Sequence, residues 1–458
     1  MAIAAHVGRR TAPGVRQLVP LPYYGPMARM RHDPLGFLLD GLRRYGDVFR
    51  FRLGPLVFHQ LAHPDHVKYV LIDNAKNYPR SWYYARTKGV VGEGLVTTEG
   101  AAWRRLRRLA QPAFHHQRIA ALAEPMTAAI AAMLGRWREH ARSGEPLDVA
   151  VEFAGLTLGI VGQALLGIDL AGEADRIGQA VTTALEYLER RLNDLLIVPS
   201  HLPTSRNLRA RRAMRTLDTL IFDIIAGRRR EPGRDAGDLL SMLLAARDEE
   251  TGEGLTDVEL RDQILTFIVA GYETTAVALA WTMSLLGRHP DAEARLRTEV
   301  ADVLGGRTPT AEDLPRLTYT RRVIEESLRI YPPVYAVARD AVAEDEIGGF
   351  HIPARSMIIL SPYVTHRHPG IWPDPEVFDP DRFSPERSTG RPRLAWFPFL
   401  GGPHQCIGQE FAMMEMTLVI ALLVRSFRFR LAPGARVEPR PMLSLRLRDG
   451  LPMIVEPA

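Results

Sequence analysis

A single cysteine, Cys406, occurs in 458 residues. One thiol excludes any intramolecular disulfide, and it excludes zinc or iron–sulfur cages built from several thiolates. A reducing, cytoplasmic setting is the expectation. Large charge imbalance is also missing: 58 Lys+Arg stand against 53 Asp+Glu, a net +5. That is mild for the length and gives nucleic-acid binding no support. Residues 1–32 hold no apolar run long enough for a secretion signal or a bilayer span, so no membrane anchor is expected. Pro13, Pro20, Pro22 and Pro26 break every periodicity there, and the segment reads as irregular.

What is present is mostly helical pattern. Asp33-Pro34 reads as an N-cap followed by proline at the first helical position, opening a helix to Tyr45. Val48–Leu53 and Leu56–Leu61 alternate like paired strands, whereas residues 81–100 show no period and read as a long loop. In Trp103-Arg104-Arg105-Leu106-Arg107-Arg108, Trp103 and Arg107 share one helical face. Arg104, Arg105 and Arg108 read as a solvated basic face. Thr256-Asp257-Val258-Glu259 is a capping box. It opens a helical pattern that runs to Gly287, about 46 Å at the helical rise. The stretch 264–286 is apolar on nearly all faces, which fits a buried central helix. A bilayer span is the rival, and Glu273 at the midpoint argues against it. Residues 337–363 read as short antiparallel strands, 366–392 as a proline-rich meander and 437–458 as one or two hairpin strands. One domain over 1–458 is expected, mainly α with a smaller β-rich part and no fused reductase.

Four stretches carry chemistry. The first is Phe399-Leu400-Gly401-Gly402-Pro403-His404-Gln405-Cys406-Ile407-Gly408, a tight loop followed by an apolar helical pattern over 411–427. A cysteine where a loop enters a helix meets unpaired N–H groups and the positive end of the dipole, which favour a thiolate. Such a thiolate is a nucleophile or a metal ligand. A buried cysteine acting as a small hydrophobe would leave the glycines without a purpose. The others are Ala270-Gly271-Tyr272-Glu273-Thr274-Thr275, Glu326-x-x-Arg329 with Tyr331-Pro332-Pro333 closing its helix, and Pro380-Asp381-Arg382-Phe383.

With these four motifs in this order, the chain resembles the cytochrome P-450 family of haem-thiolate monooxygenases over nearly its whole length. The resemblance implies the P-450 fold, with haem b between the long central helix and the Cys-loop/C-terminal helix. It implies Cys406 as the iron ligand, with Phe399 and Gly408 beside the sulfur. The haem propionates would meet Trp103, Arg107, Arg339 and His404, the last standing where the family usually has arginine. Glu273 and Thr274 would be the acid–alcohol pair that supplies protons for O–O cleavage. Glu326, Arg329 and Arg382 would form a structural ion-pair network. Phe267, Ala270, Gly271, Tyr335, Ala336, Val337 and Leu445, with the 81–100 loop, would line an apolar substrate pocket.

The implied reaction inserts one oxygen atom into a hydrophobic small molecule such as a terpenoid, a steroid or a fatty-acid-like chain. NAD(P)H-derived electrons would arrive through a separate ferredoxin or flavodoxin plus reductase, docked near Arg104 and Arg108, and the protein would be a monomer. A peroxygenase, or an isomerase or dehydratase on the same fold, is the alternative; such relatives usually lose the acid–alcohol pair. A haem sensor or plain helical scaffold is a further one. A histidine metal site at His115-His116 or His366-x-His368 lacks supporting ligands.

Overall fold

Asp33 accepts the Gly36 N–H at 2.9 Å and Pro34 occupies the first position of the helix Pro34–Tyr45, so the local cap signal sets its start. The computed structural model describes residues 10–17, 25–53, 55–167, 174–193, 199, 201–231 and 237–458. The chain forms two compact units.

The first unit comprises Met1–Tyr83, Arg329–Asp379 and Ser384–Cys406. Its centre is a five-stranded sheet in the order Gly14–Gln17, Val48–Leu53, Leu56–Leu61, Met357–Leu360, Val337–Asp340. The hairpin Val48–Leu53/Leu56–Leu61 is antiparallel, as its alternation predicts; Gly54 at its turn lies outside the described residues. Two features depart from expectation. The segment 1–32 is not irregular throughout: Gly14–Gln17 adds a parallel edge strand to Val48–Leu53, and Gly25–His32 is helical. Pairing between distant segments is invisible to local periodicity. Met357–Leu360 pairs parallel with Leu56–Leu61 and antiparallel with Val337–Asp340, so the strands after residue 337 are not all antiparallel.

The second unit comprises Tyr84–Leu328, Pro380–Phe383 and Ile407–Ala458. The capping box forms as read: Thr256 and Glu259 exchange side chain-to-backbone bonds, and the helix Asp257–Leu286 ends at Gly287. It packs against Val149–Leu166, and almost every residue in its C-terminal half is buried. Length and composition would let this helix, Val149–Leu166 and the segment His116–Ser143 each cross a membrane. In the central helix 72% of the apolar window is buried inside the protein, which assigns that apolarity to the core. Residues 81–100 are not a plain loop: Trp82–Thr87 is a 3-10 helix and Lys88–Val91 an α-turn. The tail makes the hairpin Pro439–Pro441/Leu445–Leu447, and its final strand Pro452–Pro457 pairs with Phe427–Leu431.

The helix Gln409–Ser426 buries Glu415 completely, and neither carboxylate oxygen meets a hydrogen-bond partner among the described residues. Burial holds this acid well above the ordinary glutamate range. A folded value above the unfolded one of about 4.3 means that rising pH deprotonates the unfolded chain first. Glu415 therefore subtracts stability at neutral and alkaline pH and least at acid pH. Glu415→Met should stabilise by about 1–3 kcal/mol near pH 8, the cost of an unsatisfied buried polar group. Thermal unfolding should find that gain shrinking toward about pH 4; a less stable variant at pH 8 contradicts the assignment.

Candidate active site

The cysteine loop is shaped by backbone. Gly402 has φ +70°, and a Cβ there would stand 1.9 Å from the Leu71 carbonyl oxygen. Only glycine fits, because that neighbour is main chain and cannot move aside. Leu400 also adopts a positive φ, 60°, a strain of about 1–2 kcal/mol for a residue with a Cβ. The Cys406 N–H donates to the Phe399 carbonyl at 2.9 Å and the Gln405 N–H to that of Gly402 at 3.1 Å, closing the loop on itself. Cys406 is left exposed. His404 sits half-buried at the end of the 3-10 turn Gly402–His404. On the strand Val337–Asp340 of the same unit, Arg339 is buried and donates from Nη1 to its neighbour's carbonyl at 3.1 Å. An exposed soft ligand in a tight loop suits an iron-bound thiolate, so these residues fit the haem.

In the second unit the central helix is open along one short strip. Ala270 is exposed and Val269, Gly271 and Thr274 are half-buried, although residues 262–268 and 275–286 are all buried. The Thr274 hydroxyl donates to the Ala270 carbonyl at 2.6 Å, the back-bond expected of a helical threonine. Its lone pairs therefore remain able to accept. The glycine has a structural reason that the sequence reading missed: a Cβ at Gly271 would lie 3.2 Å from Val161 Cγ2 on Val149–Leu166. From that helix Thr157 also donates to the Tyr272 carbonyl at 2.9 Å. Phe267 is buried with its ring 5.4 Å from that of Phe114, an aromatic with no motif to announce it.

Glu273 is buried, and its carboxylate accepts from Ser444 Oγ at 2.6 Å and from Arg446 Nε at 2.7 Å. The Leu445 carbonyl accepts from Trp281 Nε1 at 2.6 Å. Three consecutive hairpin residues thus clamp the central helix. Leu445 is fully buried within the clamp; Leu443, at the turn, packs partly buried on the cluster holding Phe267. In the first unit Val337 belongs to a core cluster and Ala336 packs against another, while the Tyr335 carbonyl accepts from Ser361 Oγ at 2.6 Å.

Trp103 is buried on the helix Gly100–Ala110, and Arg107 donates to Gln111 at 2.9 Å one turn on. The remaining arginines there are not uniformly solvated. Arg105 pairs with Glu259 at 2.6 Å, and Arg108 with Asp248 and Glu250, each at 3.0 Å. Arg104 is exposed. Glu326, fully buried, faces Arg382 at 3.4 Å. Arg329 is also fully buried and donates to the carbonyls of His366, Pro375 and Val377 at 2.9, 2.7 and 3.2 Å, with Trp372 against its guanidinium. His366 accepts the Phe397 N–H on Nε2 and contacts the Arg329 carbonyl through Nδ1, so both nitrogens are used structurally. Among the described residues no group of three or more His, Cys, Asp or Glu side chains could hold a metal ion.

An exposed thiol in a glycine-shaped loop of one unit and, in the other, a buried helix open beside an acid and an alcohol are each features that a haem-thiolate oxidoreductase would use. The cytochrome P450 family model matches residues 13–454. The chain is 40% identical over 439 residues to cyclooctatin synthase of Streptomyces melanosporofaciens, covering 95% of this chain and 94% of that protein. It is 36% identical to pentalenene oxygenase of Streptomyces avermitilis, covering 94% and 93%. The solved structure of a cyanobacterial P450 with retinoic acid bound is similar with TM-score 0.87 and 27% identity, covering 98% of this chain and 100% of that one. The chain belongs to the cytochrome P450 family, and it is a monooxygenase-type oxidoreductase. Membership brings a haem whose iron takes a cysteine thiolate, and this chain has one cysteine to offer.

Removing one partner of a buried ion pair costs about 3–5 kcal/mol. Glu326→Ala should therefore lower the unfolding midpoint steeply and reduce haem uptake. A variant with wild-type midpoint and full haem content would remove Glu326 from the structural network.

Proposed function

We propose that the protein hydroxylates a hydrophobic, terpenoid-like small molecule with O2, using electrons from NAD(P)H delivered by a separate ferredoxin or flavodoxin and its reductase. The whole chain acts as one catalytic domain, as a monomer in the cytoplasm. The observation that carries the reading is the open strip at Ala270, Gly271 and Thr274 in an otherwise buried helix, with the Glu273 acid next to it. Apolar neighbours of the strip, Phe267, Phe114 and Leu443, suit a substrate with few polar groups. Relatives named for cyclooctatin and pentalenene support the terpenoid class.

When bound, the haem supplies oxygen activation and transfer. The rest falls to side chains. Cys406 offers the sulfur, and Phe399 and Gly408 flank it; N–H groups following the cysteine can tune it. Arg339, Arg107, Trp103 and His404 would hold the propionate anions. Thr274, donating to Ala270, keeps an oxygen free to accept from water at the strip. Glu273, next to it on the helix, would relay protons toward that water. Arg108 already serves two carboxylates, which leaves Arg104 as the better docking cation for an acidic electron carrier.

The reduced, CO-treated protein should give the absorption band of a thiolate-bound haem, and Cys406→Ser should lose it. A series of terpenes should produce a high-spin shift of the Soret band. Thr274→Ala should lower product formation on the order of 10²-fold, the usual worth of a proton-handling group, with electrons lost as hydrogen peroxide. A thiolate-type band that survives Cys406→Ser contradicts the reading.

A further inference from the structure

The helix Gly100–Ala110 has two polar flanks and little of its own to fix its place. No side-chain bond caps its start at Glu99, so its position follows from what its side chains reach. Leu106, Leu109 and Ala110 enter the core. Trp103 and Arg107, four apart, share one flank; Arg105 and Arg108, three apart, share the other, about 150° further round. Both arginines of the second flank go to the segment that leads into the central helix.

Arg105 donates from Nη1 to Glu259 Oε1 at 2.6 Å and from Nη2 to the Gly254 carbonyl at 2.9 Å. Glu259 is the acid whose other oxygen accepts the Thr256 N–H at 2.9 Å and closes the capping box. One carboxylate thus starts the central helix and holds a neighbouring one, with each oxygen committed to one task. The planar guanidinium bridges the cap and the turn before it, a fork that a point charge could not reproduce. Only 22% of the Arg105 side chain and 33% of that of Glu259 are exposed, so the pair is screened less than one at the free surface. The Arg108 tether is looser. Its side chain is 39% exposed, and its partner Glu250 is 73% exposed. Its buried arm is Asp248, which also accepts the N–H groups of Glu250 and Thr251 at 3.1 Å each.

We propose that Arg105 and Glu259 are positioning residues for haem binding: the pair fixes where Trp103 and Arg107 stand relative to the central helix. The open strip at Ala270 lies about three turns further along that helix. A tether at the helix start therefore sets the propionate-holding flank and the oxygen-handling strip in one frame. Arg105 touches neither haem nor substrate; it acts through the helix that carries its neighbours.

The inference rests on the haem reading of Trp103 and Arg107. Glu259→Gln isolates the tether, because glutamine also serves the capping box and only the charge facing Arg105 is lost. In the haem-loaded ferric protein, the propionate bending line of the resonance Raman spectrum should shift in Glu259→Gln and in Arg105→Gln. Haem transfer to a scavenging globin should quicken about tenfold in each, the worth of one hydrogen bond to a charged group. Helical content and the thiolate-type CO band should stay as in the wild type. The double variant should lose haem no faster than either single one, as partners in one interaction do. Arg105→Lys, which keeps the charge without the fork, should recover part of the slow transfer. An unmoved propionate line with wild-type transfer in Glu259→Gln would overturn the proposal, and so would additive effects in the double variant. Lower helical content with the propionate line in place would also overturn it, reducing the pair to a contribution to stability. Absence of the thiolate-type CO band from the wild type would instead overturn the oxygenase assignment.

Discussion

The site depends on keeping one sulfur exposed at the end of a loop whose course is fixed by its backbone. Gly402 reaches its positive φ over the Leu71 carbonyl, where a single extra carbon would sit 1.9 Å from main chain. The bond from the Cys406 N–H to Phe399 then fixes the residue at the loop's mouth. Both constraints are made by main chain. A cysteine as buried as most lone cysteines are could not serve.

The central helix meets a different constraint. Thirty residues with almost no polar face need a reason to stop at one register, and the capping box and Gly287 fix only the ends. The middle is pinned by Thr157 on the Tyr272 carbonyl, by Val161 packed where Gly271 has no side chain, and by Ser444, Leu445 and Arg446. A carboxylate in apolar surroundings is tolerated only with a partner. Arg446 therefore answers an energetic need before any chemical one, and it does so from the same hairpin that carries Leu443.

Much of this was legible in sequence because local physics carries it. Caps at Asp33 and Thr256, the alternating hairpin at residues 48–61 and the glycine-rich cysteine loop all announce themselves within a few positions. What was not legible is non-local. The strand Gly14–Gln17 exists through its partner Val48–Leu53, and Met357–Leu360 takes its parallel direction from Leu56–Leu61. Arg446 and Ser444 lie more than 170 positions from Glu273, in a tail with no motif. Gly271 illustrates a right residue with an incomplete reason: it stands on the open strip, and it also admits Val161. Arg105 and Arg108 look like solvated cations until Glu259, Asp248 and Glu250 are brought beside them.

The central claim is that the exposed sulfur of Cys406 is the axial ligand of a haem. X-ray absorption at the iron edge of the purified, haem-loaded protein tests it most directly. The account predicts one sulfur scatterer in the first coordination shell, lost when Cys406 is replaced by histidine. A first shell of nitrogen and oxygen alone in the wild type would contradict it.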